Sequence, residues 1–291
     1  MTDSHADNQG SAQLINYQDW VGREEKRTDR LDLRIAQLMA ATFDMDPQSF
    51  VLGTELPTLW HWAFFVPDTP TSQLGNDGHP RRGGFLPPVT LPNRMWAGGR
   101  VVFHKPLRVG EDVRKTSRIL RCETKQGRSG PLVFVTVKHR IENSAGEAIV
   151  EEQDLVYRHP APKGASPKPH PAPSHADVRV NTTTSAALLF RYSALTFNTH
   201  RIHYDHLFVT QQEGYPGLIV HGPLLATMLA NVAAKACPGK ALTSFEYRAL
   251  EPLFVGQAFE LCAAREDNRT VEVWTQREKR VTMRATTTFA E

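Results

Sequence analysis

Residues 219–236 read Ile-Val-His-Gly-Pro-Leu-Leu-Ala-Thr-Met-Leu-Ala-Asn-Val-Ala-Ala-Lys-Ala. From Pro223 onward the stretch is apolar on nearly every face until Lys235. A helix of that kind has no side to give to water and must be surrounded. Pro223 suits the first helical position, where a missing N–H costs nothing. Pro238-Gly239 stops the helix. Strand-like segments follow to the C-terminus, at Ala258 to Arg265, Thr270 to Arg277 and Val281 to Phe289, after a strand at Ser244 to Leu250. A long antiparallel sheet curling around the helix is the arrangement that buries it.

The same order occurs earlier in the chain. Pro106-Leu107-Arg108-Val109-Gly110 matches Pro252-Leu253-Phe254-Val255-Gly256 at an offset of 146 residues. Gly99 to Lys105 precedes the first match as a strand, and Asp112 to Thr124, Leu132 to Glu142 and Ala148 to Arg158 follow it. Alternation is clear in Val133-Phe134-Val135-Thr136-Val137, and Asn143-Ser144-Ala145-Gly146 has hairpin-turn composition. Such self-similarity points to duplication, against the alternative of two unrelated turns. A half-buried helix is expected over Asp29 to Phe43, with Leu31, Ile35, Leu38, Met39 and Thr42 on one stripe. Between the halves, residues 159–175 contain six prolines, through which neither helix nor sheet can run. The expected organisation is a first repeat over 1–158, with 1–13 disordered, a Pro-rich linker over 159–175 and a second repeat over 176–291.

Composition narrows the function classes. The 291 residues carry 40% hydrophobic and 22% charged side chains, as a globular protein does. A net charge of +3 gives no field for nucleic acid. No apolar run approaches the roughly 20 residues that span a bilayer, so no membrane partner is expected. Cys122, Cys237 and Cys262 are far apart and odd in number, which favours free buried thiols in a reducing compartment. With no targeting segment evident, the expected localisation is cytoplasmic.

Chemistry concentrates just before the apolar helix. Asn198-Thr199-His200-Arg201-Ile202-His203-Tyr204-Asp205 brings an amide and imidazoles into one polar loop. An imidazole moves a proton near neutral pH. The helix start at Gly222 offers backbone N–H groups to a developing oxyanion. Together they suit proton transfer beside a carbonyl. Each residue also has a plain structural alternative: His203 as a packed core histidine, His221 as a loop-bonding one, Gly222 as a requirement of close helix entry.

These segments resemble the MaoC-like hydratase/dehydratase family of double hot-dog proteins. In that family an Asp-x-Asn-Pro-hydrophobic-His segment carries the acid–base pair, and a Val-His-Gly turn opens the central helix. The resemblance is strong over 191–291 and looser over about 20–158. It implies an α+β double hot dog of two fused repeats, each a curved antiparallel sheet wrapped around a central helix, with the two sheets edge to edge. Arg191 to Asn198, with Gly84 to Val89, Arg94 to Gly99 and Glu55 to Trp62, is similar to the branch of mesaconyl-CoA and itaconyl-CoA hydratases and hydroxyacyl dehydratases.

The resemblance implies a hydro-lyase that hydrates an α,β-unsaturated acyl-CoA, a short branched dicarboxylic one such as mesaconyl-CoA or itaconyl-CoA, to citramalyl-CoA. The implied catalytic set is His203, Asn198 and Gly222. Arg201, His200, His221 and Arg94 are the substrate-binding candidates, Arg201 and Arg94 as forks for a substrate carboxylate. No metal or separate cofactor is expected, coenzyme A being part of the substrate. A homodimer is compatible with the sequence.

Two departures from the family pattern matter. Asn198 stands where the family has its aspartate, and an amide is no general base; Arg201 stands where it has proline. His203 is then either the sole proton carrier, or a second group comes from Asp205, Glu213 or the first half. A dehydratase of hydroxyacyl-carrier protein, a non-catalytic acyl-CoA-binding protein and a thioesterase are the alternatives on the same fold.

Overall fold

The computed structural model describes residues 16–127, 130–160 and 169–291. The expected disorder at 1–13 and the core of the linker, 161–168, lie outside the described residues. Ten strands form one sheet: β1 (Glu24–Arg30), β2 (Asn93–Phe103), β3 (Asp112–Gly127), β4 (Gly130–Asn143), β5 (Gly146–Arg158), β6 (Val178–Thr182), β7 (Leu242–Ala249), β8 (Phe259–Arg265), β9 (Thr270–Arg277) and β10 (Arg280–Phe289). Their spatial order is β1-β3-β4-β5-β2-β7-β10-β9-β8-β6. Every pairing is antiparallel. The order is a palindrome: each half runs from its own edge to a shared centre, where β2 pairs with β7 from Gly98↔Arg248 to Val102↔Ser244.

Among the described residues three α-helices accompany the sheet: α1 (Leu33–Thr42), α2 (Ala186–Leu195) and α3 (Gly222–Ala236). α3 is the apolar helix of the sequence. It packs against all five strands of the second half, and Leu224, Leu225, Leu229 and Val232 are buried. Each such side chain removed from water contributes roughly 1.5–3 kcal/mol. Lys235 is exposed on its last turn.

The duplicated Pro-Leu-x-Val-Gly turns make matching bonds. Gly110 N–H donates to Leu31 O at 2.7 Å and Gly256 N–H to Thr184 O at 2.9 Å. Leu56 N–H donates to Leu107 O at 2.7 Å, as Val220 N–H does to Leu253 O at 2.8 Å. Leu56 therefore occupies the position of Val220, and Trp60 falls at the position of Leu224, in the first turn of the central helix. In the first half that place is taken by a single 3-10 turn, Trp60–Ala63. α1 instead packs against α2.

The expected helix over Asp29 to Phe43 is shorter than its pattern. Asp32 caps α1 by accepting from Arg34 N and Ile35 N, and Asp29 and Arg30 end the edge strand β1. The chain after the linker is laid along the second half. Pro171 bridges Arg280, and Ala172 N–H donates to Lys279 O at 2.9 Å. All three cysteines are free and buried.

Candidate active site

The 198–205 loop and the start of α3 are built from buried polar bonds. The loop follows α2, whose C-terminal residue neighbourhood turns sharply at Phe197, in the left-handed region at φ 48°. Asn198 Oδ1 accepts from His200 N–H at 3.0 Å, so the amide is used to shape its own turn. His203 Nδ1–H donates to Ile219 O at 2.7 Å. That bond leaves the Nε2 lone pair of a neutral imidazole free to take a proton.

The histidines form a column. His203 stacks on His221 with ring centroids 3.7 Å apart and planes at 20°. His200 lies 5.5 Å from His203 and His79 lies 4.1 Å from His200. Polar partners close both ends: His221 Nε2 is hydrogen-bonded to Ser193 Oγ at 2.8 Å, and His79 Nδ1–H donates to Asp77 Oδ2 at 3.1 Å. Burial lowers His203 to about 4, against the bond to Ile219, which raises it. Burial also lowers His79 to about 4, helped by the charges of Arg94 and Arg82 and opposed by Asp77. His200 is lowered by burial and by its neighbours His79 and His203, and His221 by burial. Burial alone would raise Asp77; the hydrogen bond and charge of His79 carry it below the usual carboxylate range. At neutral pH the column is uncharged beside one ionised carboxylate.

His79 and Asp77 come from the first half. Their loop, Gly75-Asn76-Asp77-Gly78-His79-Pro80, is fastened to the 198–205 loop. Arg201 N–H donates to Asp77 O at 2.9 Å, and Thr199 Oγ1 donates to Gly78 O. Gly78 has φ 86°, and a Cβ there would stand 1.9 Å from Thr199 O, so only glycine allows the approach.

Arg201 does not present the free fork expected of it. Its guanidinium is paired with Asp205 Oδ2 at 2.7 Å, donates to Asn76 O at 2.9 Å and covers the Phe208 ring. It clamps the two loops instead. Asp205 also accepts from Phe208 N–H at 3.0 Å, a capping role. Glu213 accepts from Asn93 at 3.1 Å. Arg191 is exposed and, among the described residues, reaches only Ala41 O, at 3.4 Å. Arg94 makes no ion pair among the described residues and lines the cavity beside His79.

That cavity, of about 360 Å³, runs from Asn198, Thr199, His79, Arg94 and Pro223 along the first-half sheet. His203, His221 and Gly222 are not among its lining residues, and Gly222 adjoins it through its neighbour Pro223. Gly222 N–H donates to no acceptor among the described residues, as an oxyanion donor must. A Cβ on Gly222 would lie 2.5 Å from the Trp96 indole, so glycine also serves helix entry. Trp96 stacks on Tyr247 at 4.3 Å and meets Trp62 edge-on at 5.8 Å.

The inner end of the cavity is polar. Glu151, 2% exposed, accepts from His61 Nε2 at 3.0 Å, Trp62 Nε1 at 2.9 Å and Gln153 Nε2 at 2.6 Å. Lys115 and His139 line the same end. Sequence reading missed this cluster, since its members are scattered over three strands and a one-turn helix.

Comparison with known proteins decides the family. Residues 59–255 match the model of hydroxyacyl-thioester dehydratase type 2. The chain belongs to that family. It is therefore a hydro-lyase of acyl thioesters, as the resemblance implied. Among curated relatives of this dehydratase family, the mesaconyl-C(4)-CoA hydratase of Chloroflexus aurantiacus is 45% identical over 253 residues, covering 86% of this chain and 89% of that protein. The mitochondrial hydroxyacyl-thioester dehydratase type 2 of Schizosaccharomyces pombe is 28% identical over 249 residues, covering 76% and 82%. Among solved structures, a MaoC-like dehydratase from Phytophthora capsici superposes with a TM-score of 0.69 at 15% identity, over 95% of this chain and 98% of that one. That likeness concerns the fold, a double hot dog. No helix among the described residues is long and apolar enough to cross a membrane.

Proposed function

We propose that the protein adds water across the double bond of a short, branched, dicarboxylic α,β-unsaturated acyl-CoA. Mesaconyl-CoA is the first candidate and itaconyl-CoA the second, with citramalyl-CoA as product. The observation that carries this reading is the unpaired Gly222 N–H at the mouth of α3, beside the stacked His221 and His203. The thioester oxygen lies on that N–H. As water bonds to the β-carbon, the π electrons move toward that oxygen and the N–H stabilises the enolate charge. One such donor is worth about 3 kcal/mol of barrier. His203, neutral with Nε2 free, delivers a proton to the α-carbon. Asn198 holds the turn and lends no proton.

Two features favour a short polar acyl group. Arg94, which makes no ion pair among the described residues, stands on the cavity wall and takes the substrate carboxylate as a fork. The inner cavity ends on Glu151, Lys115 and His139. A long apolar chain, as a carrier-protein dehydratase takes in fatty-acid synthesis, would have to bury itself against that buried carboxylate.

The experiment is a screen of purified protein with mesaconyl-CoA, itaconyl-CoA, crotonyl-CoA and 2-decenoyl-CoA, following loss of the enoyl-thioester absorbance. Fastest turnover of a dicarboxylic substrate is expected. Faster turnover of 2-decenoyl-CoA would move the substrate class to long acyl chains. Release of free thiol would mean hydrolysis, and binding without turnover of any of them would mean a non-catalytic protein.

A further inference from the structure

The proposed hydration needs a proton removed at the water and one delivered at the α-carbon, and Asn198 can do neither. The column supplies a second site for the proton. His79 is the member of the column that lines the cavity. Its Nδ1–H is fixed on Asp77 Oδ2 at 3.1 Å, so its Nε2 lone pair is the free one. His203, which adjoins the Gly222 turn through His221, lies at the thioester end of the site. His200 stands between the two, 4.1 Å from His79 and 5.5 Å from His203.

We propose that His79, oriented by Asp77, is the catalytic residue that takes the proton of the attacking water, while His203 serves the α-carbon. The inference rests on the hydratase reading above and adds a base to it. The steps balance. His79 Nε2 takes a proton from water, whose oxygen bonds to the β-carbon, and the C=C electron pair moves to the thioester oxygen at Gly222 N–H. The imidazolium at His79 is formed beside the ionised Asp77, which offsets its charge. His79 gives its proton up to solvent and His203 takes one from solvent, so the proton count is unchanged. The enolate electrons return to form a C–H bond at the α-carbon with the proton given up by His203, and both histidines end neutral. Asp77 touches neither water nor substrate and is a positioning residue.

The assignment separates two half-reactions. A saturated thioester such as methylsuccinyl-CoA has no β-chemistry, and its α-hydrogens exchange with D2O through the α-carbon base alone. The test compares wild type, His79→Gln, Asp77→Asn and His203→Ala for hydration of mesaconyl-CoA and crotonyl-CoA and for deuterium exchange into methylsuccinyl-CoA. The expected result for His79→Gln is a loss of hydration of about 10²–10⁴-fold, with α-exchange and methylsuccinyl-CoA affinity retained. Asp77→Asn, which keeps the loop's shape, lowers kcat with little change in KM. His203→Ala loses both reactions. Hydration by His79→Gln at the wild-type rate overturns the proposal and leaves the hydratase reading standing. Equal loss of hydration, exchange and binding in both His79→Gln and Asp77→Asn also overturns it, because the pair is then a structural tie. A wild-type protein that exchanges α-hydrogens but hydrates no enoyl-CoA overturns the hydratase reading itself.

Discussion

The imidazoles of His203 and His221 lie face to face, 3.7 Å apart at the centroids, and only His203 is tied to a backbone carbonyl. His221 keeps its Nδ1 buried without a partner among the described residues. The stack therefore places one proton carrier and one spacer against the residue that opens α3.

Replacing His203 by alanine should reduce hydration about 10²–10⁴-fold, measured as initial rate on the best enoyl-CoA of the screen. It should also cost about 1–3 kcal/mol in urea unfolding, since Ile219 O loses its donor in a buried site. A variant with full turnover would remove His203 from the mechanism.

Gly222→Ala should fail for a steric reason that can be relieved. The new methyl meets the Trp96 ring, and overpacking of this kind costs about 1–3 kcal/mol. Turnover should fall as the helix start shifts away from the thioester oxygen. Trp96→Ala combined with Gly222→Ala should recover melting temperature relative to Gly222→Ala alone. A double variant no more stable than the single one would mean that the close approach of α3 to β2 is not what requires glycine.

The two arginines should behave differently. Arg94→Met should raise KM for carboxylated substrates about 10- to 100-fold and leave crotonyl-CoA nearly unchanged. Arg201→Met breaks the clamp to Asp205 and Asn76, so it should lower kcat/KM for every substrate alike and lower the melting temperature. Selective loss in Arg201→Met would reverse the roles.

Acid should destabilise the fold well above the carboxylate range. His203, His79 and His139 each sit at about 4, below the ordinary 6.5, chiefly because burial disfavours the charged ring. The neutral form is thus the one the fold prefers. Their contribution is complete above about pH 6.5 and is lost as pH falls through that value toward 4. Glu151, carried down to about 2 by the bond and charge of His61 against the opposing effect of burial, adds its own loss only below the ordinary 4.5. Melting temperatures measured between pH 7.5 and 4 should fall steadily, and a His139→Leu variant should show a shallower fall.

Much of the fold is legible in the sequence because burial leaves a period. The eight strands other than β1 and β6 show apolar alternation or apolar runs, and α3 shows the all-round apolarity of a surrounded helix. β1 is not legible. Its sequence, Glu-Glu-Lys-Arg-Thr-Asp-Arg, has no apolar residue, as suits an edge strand that repels further pairing. Asp29 and Arg30 looked like a helix start for the same reason. At the site, His203 and Gly222 stand out by motif. Asp77 and His79 do not, because Gly-Asn-Asp-Gly-His-Pro has the composition of any turn. Their signal is spatial: a glycine at positive φ pressed onto Thr199 from the other half of the chain. Arg201 carried the right charge but had its partner four residues away, an i,i+4 acid that the sequence did contain.

The central pair β2–β7 makes the two halves one continuous hydrogen-bonded surface, with Trp96 of one half stacked on Tyr247 of the other. The adhesion between the halves is thus in the seam. A chain cleaved between the halves would still travel as one particle, and fragments 1–160 and 169–291 produced separately should find each other and rebuild an assembly whose chemistry needs both.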